Sequence, residues 1–541
     1  MTSFPNPTPT VVGDHSSGNR DPFPYFFLAI ALILILSSAI QTIHHHEVSK
    51  GIALFVSGIL ALLSAGVLSF PTQFSAMGAR PWITRCTLAV ALLWSAWAAL
   101  IAYAHHVEGW DEGAYFLSGL ALRGYDVPYA SHRPPVTGFI CAAFVGWDRF
   151  LNPVLLGLLL IGVYSWVHRL LGPLSAMLAV FTLLCQNLLL ESTVDIMSEL
   201  PTTLLLFAGF FSLAREKIWW SALWFTLVVF TRWNLEPVWA VVFLAVFIRF
   251  GVRQSLKFLG VGLPVVLTWY TFTRAMGTPH PLTAIVQGNL LAGPAFRPDQ
   301  TNHFQILAVF YGTHFFFLTP PILLALIANP ILNWNRRLRT DLWIPVVVMP
   351  LALLAYLATM LIIGGPFSRF MTPLIPSALV SLLVGLSRFC EDRSLSTPFR
   401  VRILAVALFL TCAVGLWPLS AIVHARNNLQ TKDVFSPDLR KKLVALDRTV
   451  LLYGVPREPL CGGNGHPAMV EARHRILFPS ASRDGFTHNY IEESDSVECV
   501  RRLAAACHSG DLMIIPRKYA SDFQSAAVLF SGEQWSVIRN P

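Results

Sequence analysis

Val136-Thr-Gly-Phe-Ile-Cys-Ala-Ala-Phe-Val-Gly-Trp-Asp-Arg-Phe150 is the stretch on which the architecture of this chain turns. Around it, between Pro24 and His424, apolar runs recur that are about 18 residues or more in length, enough to span a hydrocarbon core as helices. With 54% hydrophobic and 13% charged residues and a mean hydropathy of +0.57, the 541-residue chain is far from a soluble balance. The reading is a polytopic α-helical membrane protein. The formal charge of +9 is then topological information before it is a sign of any anionic partner, because Lys and Arg gather in cytoplasmic loops.

Candidate spans are 24–43, 51–70, 85–104, 152–171, 174–190, 201–214, 218–232, 236–250, 257–273, 304–329, 343–364, 370–388 and 401–424, about 13 crossings. If 136–150 does not cross, one side of the membrane collects the basic clusters. They are Arg80 and Arg85, Arg169, Arg215 and Lys217, Arg249, Arg253 and Lys257, Arg336, Arg337 and Arg339, then Arg388, Arg393, Arg400 and Arg402. The other side keeps isolated cations. If it crosses, the later clusters change sides, so the segment is read as a re-entrant or surface-lying helix covered by protein. With the amino terminus cytoplasmic, 105–135, 191–200, 274–303 and 365–370 then emerge on the external face together with the carboxy-terminal part.

Residues 1–23 are polar and rich in Pro and Gly, a disordered cytoplasmic tail without the pattern of a cleaved signal peptide. Residues 425–541 change character: Thr449–Val455, Asp511–Pro516 and Trp535–Ile538 read as strands and Ser496–Cys507 as an amphipathic helix, a small exported α/β domain. The membrane part is then 24–424. The eight cysteines show no metal-ligand spacing, and a disulfide among Cys461, Cys499 and Cys507 would leave one thiol over. There is no P-loop, no dinucleotide fingerprint and no internal repeat.

Chemistry-bearing residues cluster on the external loops. Trp110-Asp111-Glu112-Gly113 puts two carboxylates beside lipid, where they are costly unless solvated, paired or used. As a structural feature it is an acidic cap on an interfacial helix; as a site it offers a proton acceptor. His132-Arg133-Pro134-Pro135 follows, a cation that either snorkels to head groups or grips a phosphate bidentately. Glu191-Ser-Thr-Val-Asp195-Ile-Met-Ser-Glu199-Leu-Pro201 opens the helix at 201; capping explains part of its acidity, and Glu199 is the favoured second acid. Arg232 and Glu236 have the i,i+4 spacing of a simple helical ion pair, Gly364-Gly-Pro-Phe-Ser-Arg369 is a tight turn delivering a cation, and His314 reads as a core histidine.

Taken in order, these motifs resemble the GT-C glycosyltransferases, polytopic enzymes that use polyprenyl-phosphate sugars. The likeness is greatest to the group that includes the lipid A aminoarabinose transferase and the protein O-mannosyltransferases. It is carried by Asp111-Glu112 with Tyr115, by Arg133-Pro134, by Glu199-Leu-Pro201, by Phe230-Thr-Arg232 and by Arg369-Phe-Met-Thr-Pro373. Two spans precede the family's usual first helix, and the second acid is Glu where members often have Asp. The resemblance implies inverting transfer to an acceptor hydroxyl at the external, periplasmic face of a bacterial inner membrane. The acceptor is a glycolipid, glycan or protein, with no nucleic acid involved. Asp111 would be the base, with Glu112 or Glu199 positioning. Arg133 and His132 would hold the donor phosphate with Arg369 or Arg232 helping, and Tyr115 and Asp195 would belong to the substrate loops. No cofactor is required, although a divalent cation is compatible with Asp111, Glu112 and Glu199. Two other classes compete. A flippase for lipid-linked saccharides predicts ionisable groups at the bilayer midplane and inverted repeats. A scaffold whose active part is 430–541 predicts that deleting that part abolishes function.

Overall fold

The computed structural model describes residues 81–104, 134–144, 148–184, 198–275, 320–334, 338–363, 368–394, 450–452, 512–522, 527–531 and 535–539, with isolated positions before and between them. Its helices are α1 (Pro81–Ala104), α2 (Pro135–Ala143), α3 (Asp148–Leu171), α4 (Pro173–Leu184), α5 (Glu199–Ala214) and α6 (Ile218–Thr231). They continue with α7 (Glu236–Phe250), α8 (Val252–Ala275), α9 (Pro320–Asn333), α10 (Thr340–Trp343), α11 (Met349–Ile363) and α12 (Ile375–Asp392). A π turn at Ile344–Val348 joins α10 to α11, and Ser368–Leu374 forms a 3-10 helix before α12.

Proline sets several of the starts. Pro81, Pro135, Pro173 and Pro320 are first helical residues, where a missing N–H costs nothing and the fixed φ suits the turn. Three described helical stretches are long and apolar enough to cross a bilayer: Phe150–Leu171, Thr340–Met360 and Met371–Asp392. The nine residues of α2 rise about 13.5 Å, less than half a hydrocarbon core, and a break separates α2 from α3. The described part of the apolar segment 136–150 is therefore a short helix that ends at the C-cap Phe144 and the first turn of α3.

Consecutive helices pack as antiparallel neighbours: α3 on α4, α5 on α6, and α7 on α8. Small residues let them approach. Gly209 in α5 lies against the Phe225 ring of α6, where an added Cβ would come within 2.9 Å of it, and Ser221 Oγ donates to the Gly209 carbonyl at 3.1 Å. Trp166 of α3 stacks edge-on against Phe207 and Phe211 of α5, with centroids 5.3 and 5.5 Å apart. Between α9 and α12, Asn329 donates to the Ser381 carbonyl at 2.8 Å and fills the space that a side chain at Gly385 would need. Such small-residue seams with polar ties are how helices cohere where lipid removes the hydrophobic drive between them.

On α8 the outward stripe Leu256, Leu259, Leu263, Val266 and Leu267 is exposed, as are Leu244, Phe247 and Ile248 on α7. Water would not tolerate so continuous an apolar surface, whereas acyl chains solvate it. The protein is a membrane protein.

Near the carboxy terminus, β1 (Val450–Leu452), β2 (Leu512–Pro516), β3 (Ala527–Ser531) and β4 (Trp535–Arg539) form one mixed sheet in the order β1-β2-β4-β3. β1 runs parallel to β2, and the other pairs are antiparallel. Three strands coincide with the expected runs and β3 is additional. The expected helix 496–507, Cys461, Cys499 and Cys507, the tail 1–23, the candidate span 51–70 apart from isolated positions and nearly all of 401–424 lie outside the described residues.

Candidate active site at one end of the helix bundle

The turn Arg215-Glu216-Lys217 joins α5 to α6, so the start of α5 and the end of α6 lie together at the opposite end of the hairpin. Glu199 occupies the first turn of α5, where a carboxylate offsets the helix dipole, and Pro201 is tolerated for the same positional reason. Thr202 and Thr203 turn their hydroxyls back onto the Ser198 and Glu199 carbonyls, each at 2.6 Å. The backbone that presents Glu199 is thereby fixed.

Arg232 ends α6 in an extended conformation, with φ −152° and ψ 115°. Its N–H donates to the Val228 carbonyl at 3.0 Å, and its own carbonyl accepts from Leu235 N–H at 3.2 Å as the chain enters the 3-10 turn Trp233–Leu235. The guanidinium reaches back to α5: Arg232 Nη1 lies 3.1 Å from Glu199 Oε1, with the side chains only 8% and 3% exposed. This corrects the i,i+4 pairing with Glu236. That geometry needs an unbroken helix from 232 to 236, and the helix is broken at Arg232.

Two further residues close around the pair. Tyr356 of α11, wholly buried, is within electrostatic reach of both Arg232 and Glu199 and beside the Asn234 amide. Asn234 also donates to Met360 Sδ at 3.5 Å. A second set of ties reaches the 3-10 helix before α12, which packs against α5. Asn152 Nδ2 donates to the Ser192 carbonyl at 3.1 Å, and Ser192 Oγ donates to Thr372 Oγ1 at 3.3 Å. The backbone of Arg369 belongs to this 3-10 helix, three residues before Thr372.

Tyr115 is helical and buried. The helical positions after it press on α2, since a Cβ at Gly119 would stand 2.7 Å from Cys141 Cβ and one at Gly138 would stand 3.1 Å from Ser118 Cβ. Asp111, Glu112, His132, Arg133 and Asp195 lie outside the described residues, as does the side chain of Arg369. Among the described residues no group of three His, Cys, Asp or Glu side chains comes together. Glu199, one of the three carboxylates considered as cation ligands, directs Oε1 at a guanidinium.

Of the residues singled out from sequence, the structure brings Glu199 and Arg232 into contact. Tyr356, Asn234, Asn152, Ser192 and Thr372 are additions. Asn234 stood between two charged residues at a helix break and was open to detection. Tyr356 sits in an apolar span, where an aromatic residue is ordinary.

No protein-family model and no curated protein matches the sequence. Solved structures do resemble it. ArnT from Cupriavidus metallidurans bound to undecaprenyl phosphate superposes with a TM-score of 0.57 at 13% identity, over 86% of this chain and 98% of that one. The apo state of the same protein gives 0.49 at 13% identity, over 84% and 98%. The oligosaccharyltransferase of Archaeoglobus fulgidus in complex with zinc and sulfate gives 0.44 at 12% identity, over 80% and 68%. Over 86% of its length this chain shares the fold of ArnT.

Proposed function

We propose that the protein is an inverting glycosyltransferase that moves a sugar from a polyprenyl-phosphate donor to an acceptor hydroxyl at the external face of the membrane. The observation that carries this reading is the meeting of Glu199 and Arg232 at one end of the bundle. The resemblance implies one site for both, and they meet from different helices, one of which, α5, packs against the 3-10 helix that holds the backbone of Arg369. The fold is that of a protein whose structure contains undecaprenyl phosphate, which supports a lipid-phosphate donor. External sidedness follows from the positive-inside distribution of the basic clusters.

In this reading the acceptor O–H gives its proton to the Asp111 carboxylate, with Glu112 aligning it. The oxygen attacks the anomeric carbon from the face opposite the phosphate. The bond from that carbon to the phosphate oxygen breaks, and its electron pair leaves with the polyprenyl phosphate. The phosphate gains about one negative charge in this step, so cations placed at it favour the transition state over the donor. Arg133 with His132, then Arg369 and Arg232, are the groups for that task. Tyr115 and Asp195 belong to the loops that border the substrates, and residues 425–541 form a separate exported domain. A divalent cation near Asp111 and Glu112 is compatible with this scheme; Glu199 is a poor ligand for one because Arg232 repels it.

The test offers purified wild type and Asp111→Asn a panel of radiolabelled polyprenyl-phosphate sugars with a membrane extract as acceptor. Label should leave one donor with wild type and stay on it with the variant. Donor that is bound by both and consumed by neither would sink the reading.

A further inference from the structure

At the end of the bundle where α5 turns into α6, several cations have partners inside the protein. Arg249 Nη2 donates to the Leu338 carbonyl at 2.7 Å, Arg215 lies over the Phe211 ring at 4.4 Å, and Arg339 and Arg388 meet Asp341 and Glu391. Arg253 and Lys257, in the first two turns of α8, have no such partner among the described residues. Gly251, at φ 76°, turns the chain from α7 into α8 and so brings both close behind Arg249.

What they face follows from the helix period. Ser255, Phe258 and Gly262 are buried, and Gly262 lies against Thr226 of α6 and Trp239 of α7. With 3.6 residues per turn, Arg253 and Lys257 share the side of α8 turned away from those contacts. Arg253 is exposed and Lys257 half-buried. Further along, that side is apolar. Arg253, Gly260 and Leu267 fall in one seven-residue column and Leu256 and Leu263 in the next, all exposed. Gly260 leaves a notch in its column, since a Cβ there would meet nothing within 4 Å. From Arg253 to Leu267 the helix rises about 21 Å, which matches one head-group layer plus half of a hydrocarbon core about 30 Å thick. Cations on a lipid-facing side are costly unless their charge is met. Snorkelling would meet it with any head group, but would make no use of the notch.

We propose that Arg253 and Lys257 hold the phosphate of one phospholipid with a net negative head group, whose acyl chain lies in the notch at Gly260 beside Leu256, Leu263 and Leu267. Charge complementarity selects this occupant. α8 contains no Asp or Glu to offset its two leading cations, so a net anionic lipid is held better than a zwitterionic one, whose ammonium would be brought toward them. The site lies at the opposite end of the bundle from Glu199 and Arg232 and does not depend on the transferase reading.

The experiment titrates full-length protein in a neutral detergent with dioleoyl phosphatidylglycerol, and in parallel with dioleoyl phosphatidylcholine and with inorganic phosphate. Native mass spectrometry counts the bound lipids while the unfolding temperature is followed. Phosphatidylglycerol should bind saturably and raise the unfolding temperature; the other two should do neither at the same concentration. Arg253→Gln and Lys257→Gln should each weaken that binding about fivefold, and the double variant should carry one lipid fewer than wild type. Gly260→Leu fills the notch and keeps both charges. It should also lose one lipid, with its unfolding temperature in lipid-free detergent unchanged. Full retention of lipid by Gly260→Leu would mean that the cations only snorkel among bulk head groups, and it overturns the proposal. A double variant that binds as wild type does, or an equal response to phosphatidylcholine, overturns it as well. So does a full response to inorganic phosphate, which would make the occupant a free anion.

Discussion

At one end of the bundle Arg232 and Glu199 face each other at 3.1 Å with almost no exposure. At the other, Arg339 meets Asp341 at 2.7 Å with the arginine 79% exposed, and Arg388 meets Glu391 at 3.1 Å with both partly exposed. The second end is held together by other polar contacts as well: Thr340 Oγ1 donates to Glu216 Oε1 at 2.7 Å, and Arg249 Nη2 to the Leu338 carbonyl at 2.7 Å. Distance does not distinguish the two ends. Partners at the exposed end are two or three residues apart and wet, whereas those at the buried end come from separate helices. A wet pair exchanges water for a partner at little gain, while a dry pair makes each charge depend on the other. A dry charge pair is weak evidence for stability, because the cost of desolvating both charges offsets their attraction.

The sharpest way to break this contrast is Glu199→Ala. It removes the buried carboxylate paired with Arg232 and should cost about 3–5 kcal/mol of unfolding free energy in mild detergent. A cost near that of a surface change would mean that water reaches the pair. Gly209→Leu tests whether apolar fit in the middle of the same hairpin matters as much. The new side chain meets the Phe225 ring and should cost about 1–3 kcal/mol, read by denaturant titration. A smaller effect is expected of Asn152→Ala, which removes the tie to Ser192 and so loosens the 3-10 helix that carries Arg369. About 1 kcal/mol of stability should go. If Arg369 serves the phosphate, binding of undecaprenyl phosphate should weaken more than that loss of stability suggests.

The helical membrane character was readable because it follows from bilayer thickness, which apolar runs of about 18 residues or more match. Charge sidedness led to reading 136–150 as one re-entrant or surface-lying helix; that the helix there ends already at Ala143 was not legible, because the apolar run continues past it. Boundaries were less legible. The expected span 370–388 starts as a 3-10 helix around Pro373, and α9 runs through Pro330 to Asn333, where Asn333 Nδ2 bonds the Asn329 carbonyl at 2.9 Å. At the site, Glu199 and Arg232 were recognisable as ionisable residues at span ends, but their pairing was not. A local i,i+4 partner for Arg232 was in view at Glu236, and nothing in the spacing announces that the chain becomes extended at 232. Tyr356 and Asn152 become meaningful only once helices distant in sequence are packed. The strand β3 was missed because four apolar residues followed by Ser531 carry no periodicity that separates strand from buried helix.

The smallest effect expected sharpens the comparison most cleanly. Arg339→Ala removes an exposed partner of Asp341, on the residue that precedes α10, far along the bundle from Glu199. It should cost about 0–1 kcal/mol, and salt should shrink even that, because ions screen wet charges over a Debye length of about 8 Å at physiological strength. Denaturant titrations at low and high salt on Arg339→Ala and Glu199→Ala would then diverge. The first penalty should fade with salt, and the second should persist because ions do not enter the buried contact. If both faded alike, burial would not be what separates the two ends, and the claim that Glu199 and Arg232 act as one dry unit would fail with it.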